Sequence, residues 1–223
     1  MHRLKPSPQS PRPFKPIMAN VIGIDVGGKR KGFHAVLLSS QKIQAIFKHT
    51  DPVQIVVWSL SHQPVAIAVD APCGWSTSGG SRESERSLAH RGKRIPCFCT
   101  PTRARAALSR FYDWVFNGEQ LYQAFQRQSI TPIETYPHGV SEIILQRNPL
   151  PAKKQARRQV ALAKMGLLNP CLKSVDFRDA ALAALTADAF REHQTHAFGN
   201  DSEGKIHLPI ENYFSNSWLK GTT

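Results

Sequence analysis

No stretch of the 223-residue sequence approaches the roughly 20 apolar residues of a membrane-spanning helix, since its most apolar segments are short and broken by Asp, Gly or Pro. A helical membrane protein is excluded on that count, and no membrane partner is expected. Acidic residues are few, 16 against 29 Lys and Arg, for a net charge of +13. Arg3, Lys5, Arg12 and Lys15 carry four of those positive charges, and the remainder of the chain is still basic. Such an excess favours a polyanionic partner, nucleic acid above all, of a type the charge does not specify. Cysteine is sparse too: Cys73, Cys97, Cys99 and Cys171, with no secretory signal, imply free thiols in a reducing, cytoplasmic setting. Cys97 and Cys99 lack a second pair or a His at zinc spacing and read as ordinary thiols. No internal repeat is present.

The residues present describe a basic tail followed by one folded unit. Residues 1–18 hold five prolines and no acid and read as a disordered tail, with Met18 as an alternative start. Residues 19–223 read as a single α/β domain. A β-branched run, Ala19 to Val26, is a buried strand stopped by Gly27-Gly28; strands at Phe33–Leu38 and Lys42–Phe47 complete an antiparallel meander. Asp51 and Pro52 open a crossover helix with a stripe of Val53, Val56, Val57 and Leu60. It leads into Val65–Asp70, a strand parallel to the first. An insertion of about 71–130 follows, with helices near Arg82–His90, Arg103–Phe116 and Glu119–Arg127. A fifth strand spans Thr131–Pro137, helices cover Val140–Gln146, Lys153–Leu168 and Val175–His193, and Ile206–Pro209 reads as a closing edge strand.

Four acids stand at the ends of these elements: Asp25, Asp70, Glu134 and Asp179. Sites in open sheets form beyond the carboxyl ends of adjacent parallel strands, where Asp25 and Asp70 should converge. On its helix Asp179 shares a face with Val175, Leu182, Ala183 and Thr186, so it points inward and needs a buried base or a cation. Asp176, one turn earlier, would share that role or cap the helix. Oxygen-only ligation suits Mg²⁺ or Mn²⁺, and two such ions about 4 Å apart would clamp a scissile phosphate. Each acid also has a plainer reading: a turn residue at Asp25 or Asp70, an arginine partner at Glu134. For substrate contact, Gly27-Gly28-Lys29-Arg30 is an anion loop or a hairpin turn, and Arg82 with Arg86 is a phosphate clamp or a solvated face, with His90, Arg91, Lys93 and Arg94 beyond it. Lys153, Lys154, Arg157 and Arg158 read as surface. His138 is a general base or a leaving-group acid near Glu134, or a helix-start residue.

Together Gly23-Ile24-Asp25-Val26-Gly27-Gly28, Val69-Asp70-Ala71-Pro72, Arg82 through Arg86, Glu134-Thr135-Tyr136-Pro137 and the helix from Asp179 to Ala187 resemble the domain of unknown function 429 family, described as predicted nucleases of RNase H-like fold. The resemblance spans Val21 to Pro209. It implies an RNase H-like mixed sheet flanked by helices, with Asp25, Asp70, Glu134 and Asp179 as catalytic metal-binding acids. The chain departs from the family at Ala181, where Leu is usual, and at Ser84, where Cys is frequent.

Three functions are compatible with this pattern. The first is a divalent-metal-dependent nuclease or phosphodiester hydrolase; the second is a nucleic-acid-binding protein of the same fold without catalysis. The third, a nucleotide-binding phosphotransferase of the actin and sugar-kinase type, needs a second lobe and a second phosphate loop that the sequence does not supply.

Overall fold

The computed structural model describes residues 19–90, 97–146 and 153–218; the tail through Met18 and Arg91, Lys93 and Arg94 lie outside them. The described elements run β1 (Asn20–Val26), β2 (Phe33–Ser39), β3 (Lys42–His49), α1 (Pro52–Ser61), β4 (Ala66–Asp70), α2 (Glu83–His90), α3 (Arg103–Ala106), a 3₁₀ turn (Arg110–Tyr112) and α4 (Asp113–Gln126). They continue with β5 (Ile133–Thr135), α5 (Pro137–Leu145), α6 (Lys154–Lys164), α7 (Val175–Arg191), β6 (Thr195–Asn200), β7 (Gly204–Pro209) and α8 (Tyr213–Ser217). One sheet orders them β3-β2-β1-β4-β5-β7-β6. The first three strands form the antiparallel meander, β4, β5 and β7 add in parallel, and β6 closes antiparallel to β7. This is the RNase H-like α/β arrangement.

Both faces of the sheet are covered, which is why β1 is apolar on alternate and intervening positions alike. Ile22, Ile24 and Phe33 pack with Ile55 of α1 and Leu121 and Phe125 of α4. On the other face Val21, Val36 and Leu38 pack with Ala180, Ala183 and Ala184 of α7 and with Leu162 of α6.

The structure differs from the sequence reading at several elements. In α1 the buried residues are Ile55, Val56 and Ser59, while Val53 and Val57 are exposed, because the helix leans on β2 and α4 by its other edge. The helix expected over Arg103–Phe116 breaks where Ser109 accepts a hydrogen bond from the Phe111 amide and starts the 3₁₀ turn. α4 instead runs unbroken through Gly118, where a Cβ would meet Ala71 at 2.7 Å. Pro137 opens α5 rather than only ending a strand. β7 lies inside the sheet, since β6, a strand of mixed polarity, takes the edge.

Candidate metal centre

The site follows from the close approach of α7 to β1. A Cβ on Gly23 would lie 2.0 Å from the Ala180 carbonyl oxygen and 2.1 Å from the Ala184 nitrogen, both backbone atoms. Only glycine admits the helix to that depth, and the small Ala180, Ala183 and Ala184 keep its facing side shallow. Asp179 directly precedes Ala180 and is buried. Across the sheet, Asp25 and Asp70 are partners in the parallel β1–β4 register. One carboxylate oxygen from each of Asp25, Asp70 and Asp179 lies within 4.8 Å of the other two.

Burial, then the charges of Asp70, Asp179 and Asp176, hold the Asp25 carboxyl well above the usual carboxylate range. Asp70 is pushed up to about 8 by burial and by Asp179, against the opposing pull of Lys154 and Arg158. A divalent cation relieves this kind of strain by neutralising the group. Asp179 already has two cationic neighbours: Arg158 Nε stands 2.5 Å from Oδ1 and Lys154 Nζ 2.7 Å from Oδ2. Arg158 is buried and also donates to Ser141 Oγ at 2.9 Å. The Lys154 side chain is 60% exposed, so water can receive its ammonium if an ion displaces it from Oδ2. The residues therefore fit a hard cation: three oxygen donors at short spacing, two of them reluctant to ionise alone, the third masked by a movable lysine.

Lys154 and Arg158 correct the reading of that cluster as surface. Arg158 lies three and four residues before the buried Ala161 and Leu162, a spacing that places all three on one helix face. His34 went unremarked in the sequence, yet it is the register partner of Asp25 across the β1–β2 hairpin. It is buried, with Nδ1 3.8 Å from Asp25 Oδ2, Nε2 4.0 Å from Asp176 Oδ2 and the Phe177 ring edge-on at 4.9 Å. Burial lowers its pKa. Asp176 accepts from Lys31 Nζ at 3.2 Å, and Ser174 rather than Asp176 caps α7.

Glu134 does not join the three aspartates. Its Oε1 and Oε2 accept from Arg82 Nη2 at 2.6 Å and Nη1 at 2.7 Å, and the Cys73 amide also donates to Oε2 at 2.8 Å. The arginine-partner reading of Glu134 is the one the geometry displays, and Arg82 is thereby corrected as well. Instead of meeting solvent beside Arg86, Arg82 is 1% exposed, with Nε donating to Glu85 Oε1 at 2.9 Å. This network ties α2 to β5. Glu203 fastens the same region from β7's side: it accepts from the amides of Thr77 and Glu83, each at 2.7 Å, and these bonds draw its pKa down to about 2.

The remaining expected residues are dispersed. Lys29 and Arg30 are exposed on a turn closed by Gly27 N–H to Gly32 O at 2.8 Å, so the glycines serve the hairpin. Arg86 is half-exposed, 3.9 Å from Glu203. His138 sits in the first turn of α5 beside Arg157, Arg158 and Glu142, and burial and those arginines lower its pKa to about 4. Finally, Asn117 of α4 donates to the Gly27 carbonyl at 2.9 Å, which docks α4 on the loop that follows Asp25.

A mixed seven-stranded sheet on which aspartates at the ends of two parallel strands converge with a third from the helix packed on them defines a protein of RNase H-like, nuclease-type fold. Within that class, the chain belongs to the family described as protein of unknown function (DUF429), whose profile matches residues 23–204. No curated protein matches the sequence. Among solved structures, Thermus thermophilus RuvC in complex with a Holliday junction substrate is similar at 14% identity and a TM-score of 0.46, over 84% of this chain and 99% of that one. A second Thermus thermophilus RuvC structure is similar at 13% identity and a TM-score of 0.47, over 78% and 96%. Among the described residues no helix is long and apolar enough to cross a membrane.

Proposed function

We propose that the chain is a divalent-metal-dependent phosphodiester hydrolase acting on nucleic acid, with Asp25, Asp70 and Asp179 as the residues that hold Mg²⁺ or Mn²⁺. The observation that carries this reading is the meeting of three acids from β1, β4 and α7 with carboxylate oxygens within 4.8 Å of one another. When bound, a divalent ion supplies Lewis acidity toward a phosphoryl oxygen and offsets the charge that develops there. The chain's own groups would do the rest. Lys154, released from Asp179, reaches an incoming phosphate; Lys29 and Arg30 meet the backbone of the substrate from the hairpin turn; Arg158 keeps Asp179 oriented.

The test is cleavage of labelled single-stranded, duplex and branched oligonucleotides by the purified chain in Mg²⁺ or Mn²⁺. Asp25→Asn and Asp70→Asn should each lower the rate by about 100-fold or more, as loss of several kcal/mol of charge stabilisation requires. Cleavage that survives both substitutions would refute the proposal.

One observation favours a second reading, a nucleic-acid-binding protein without catalysis: Lys154 and Arg158 pair with Asp179 with no ion required. That reading expects steeply salt-dependent binding indifferent to Mg²⁺ and to the three acids. A gel-shift series over salt and metal separates the two.

A further inference from the structure

Beside Asp70 lies a cluster of aromatic side chains that is only partly buried, Trp114 being its member packed on the core. Phe98 is surrounded by Phe111, Tyr112 and Trp114, with ring centroids 5.6, 5.8 and 5.0 Å away. Phe111 is 65% exposed, Leu108, three residues earlier, is 88% exposed, and Phe98, Tyr112 and Trp114 are half-buried. A globular domain ordinarily buries such residues, and a contiguous exposed group marks a contact surface.

Two placements say what the surface meets. First, Phe98 and Trp114 line the same cleft as Asp70, Arg82 and Tyr136, so these two rings open onto the carboxyl end of β4. Trp114 lies one helical turn before Asn117 and Gly118, the residues that dock α4 on the Gly27 carbonyl and on Ala71, immediately beyond Asp25 and Asp70. Phe98 and Trp114 therefore flank the Asp70 side of the acid site, with Phe111 and Tyr112 packed on Phe98. Second, arginines flank this segment in the chain. Arg103, Arg105 and Arg110 are exposed; Arg110 pairs with Asp113 at 4.0 Å, and Arg103 pairs with Glu119 at 3.0 Å while its guanidinium lies over the Phe116 ring at 5.2 Å. One exposed aromatic face backed by half-buried rings, with arginines in the same segment, suits a planar ring attached to a phosphate backbone, which is the chemistry of an unpaired nucleobase.

We propose that Phe98, Phe111, Tyr112 and Trp114 form a stacking platform for an unpaired nucleobase next to the phosphodiester presented to Asp25 and Asp70. The proposal rests on the nucleic-acid reading above and refines it: the preferred substrate is a strand with at least one base out of its stack, a single-stranded, bulged or branched segment rather than continuous duplex.

The experiment compares two labelled duplexes that differ only at one bulged position, which carries either adenine or an abasic sugar. Binding is measured in EDTA, so that cleavage cannot begin. The wild-type chain should bind the adenine bulge about tenfold more tightly than the abasic one, the value of one stacked base. Phe111→Ala should abolish that preference while leaving the salt dependence of binding unchanged, and Phe111→Trp should retain it. Because Phe111 is largely exposed, neither change endangers the fold. Equal affinity for the two duplexes, or a preference untouched by Phe111→Ala, would overturn the proposal; so would a wild-type dimer in sedimentation that Phe111→Ala dissociates, since the patch would then be a self-association surface. The two readings fail separately. An adenine preference without cleavage in any metal would sink the hydrolase and leave the platform, and cleavage without the preference would do the reverse. Asp25→Asn, which removes no part of the platform, should keep the preference.

Discussion

Asp25 and Asp70 face each other as register partners on neighbouring parallel strands, and the fold holds both carboxyls above their ordinary range. The consequence is a pH dependence of known sign. Asp70 ionises near 3.8 when unperturbed and at about 8 in the fold, so between those values the folded chain binds the extra proton. Stability contributed by this group is therefore lost as pH rises through that window. In EDTA, the thermal midpoint of wild type relative to Asp70→Asn should fall from about pH 5 to about pH 8. Parallel profiles for the two proteins would contradict the assignment.

Arg82 and Glu134 form a buried pair, and removing one partner leaves a charge without compensation. Arg82→Met should cost about 3–5 kcal/mol, and Glu134→Gln in the same background should recover part of it. Chemical denaturation of Arg82→Met, Glu134→Gln and the double variant measures the coupling. Strictly additive losses would mean that the pair is not what moors α2 to β5.

Gly23→Ala should act on the site from behind. The added carbon meets backbone atoms at 2.0 and 2.1 Å, which no rotamer can relieve, so α7 must shift. We expect a loss of about 3 kcal/mol in stability together with weaker Mn²⁺ binding. A stable variant with unchanged metal affinity would show that the approach of α7 does not set the position of Asp179.

Much of this was legible in the sequence because it depended on local signals. The buried β1 run, the Asp51-Pro52 helix start and the crossover to β4 together predict that Asp25 and Asp70 meet, and the structure pairs them in register. Asp179 was legible because its apolar helix neighbours leave it no way to solvent. What escaped depended on partners far apart in sequence. That Glu134 belongs to Arg82 depends on how the segment after β4 folds back, 52 residues away. Lys154 and Arg158 looked like part of a basic run, and only the packing of α6 on α7 turns one face of that run toward Asp179. β6 carries polar residues on an edge, where alternation is weak, and so displaced β7 from the edge position expected of it.

Lys154 competes with any cation for Oδ2 of Asp179. Lys154→Met should therefore bind Mn²⁺ more tightly at alkaline pH, by about fivefold for the loss of one positive charge at close range. Calorimetric titration checks this. Unchanged or weaker binding would mean that the lysine assists the ion, or never meets it.

The central claim is that Asp25, Asp70 and Asp179 hold a divalent ion in common, and anomalous scattering from crystals soaked in Mn²⁺ tests it most directly. The account predicts a peak bounded by oxygens of all three carboxylates, with the Lys154 ammonium moved off Asp179, and no peak in Asp70→Asn crystals. A map without that peak, in which Lys154 and Arg158 still hold Asp179, would contradict it.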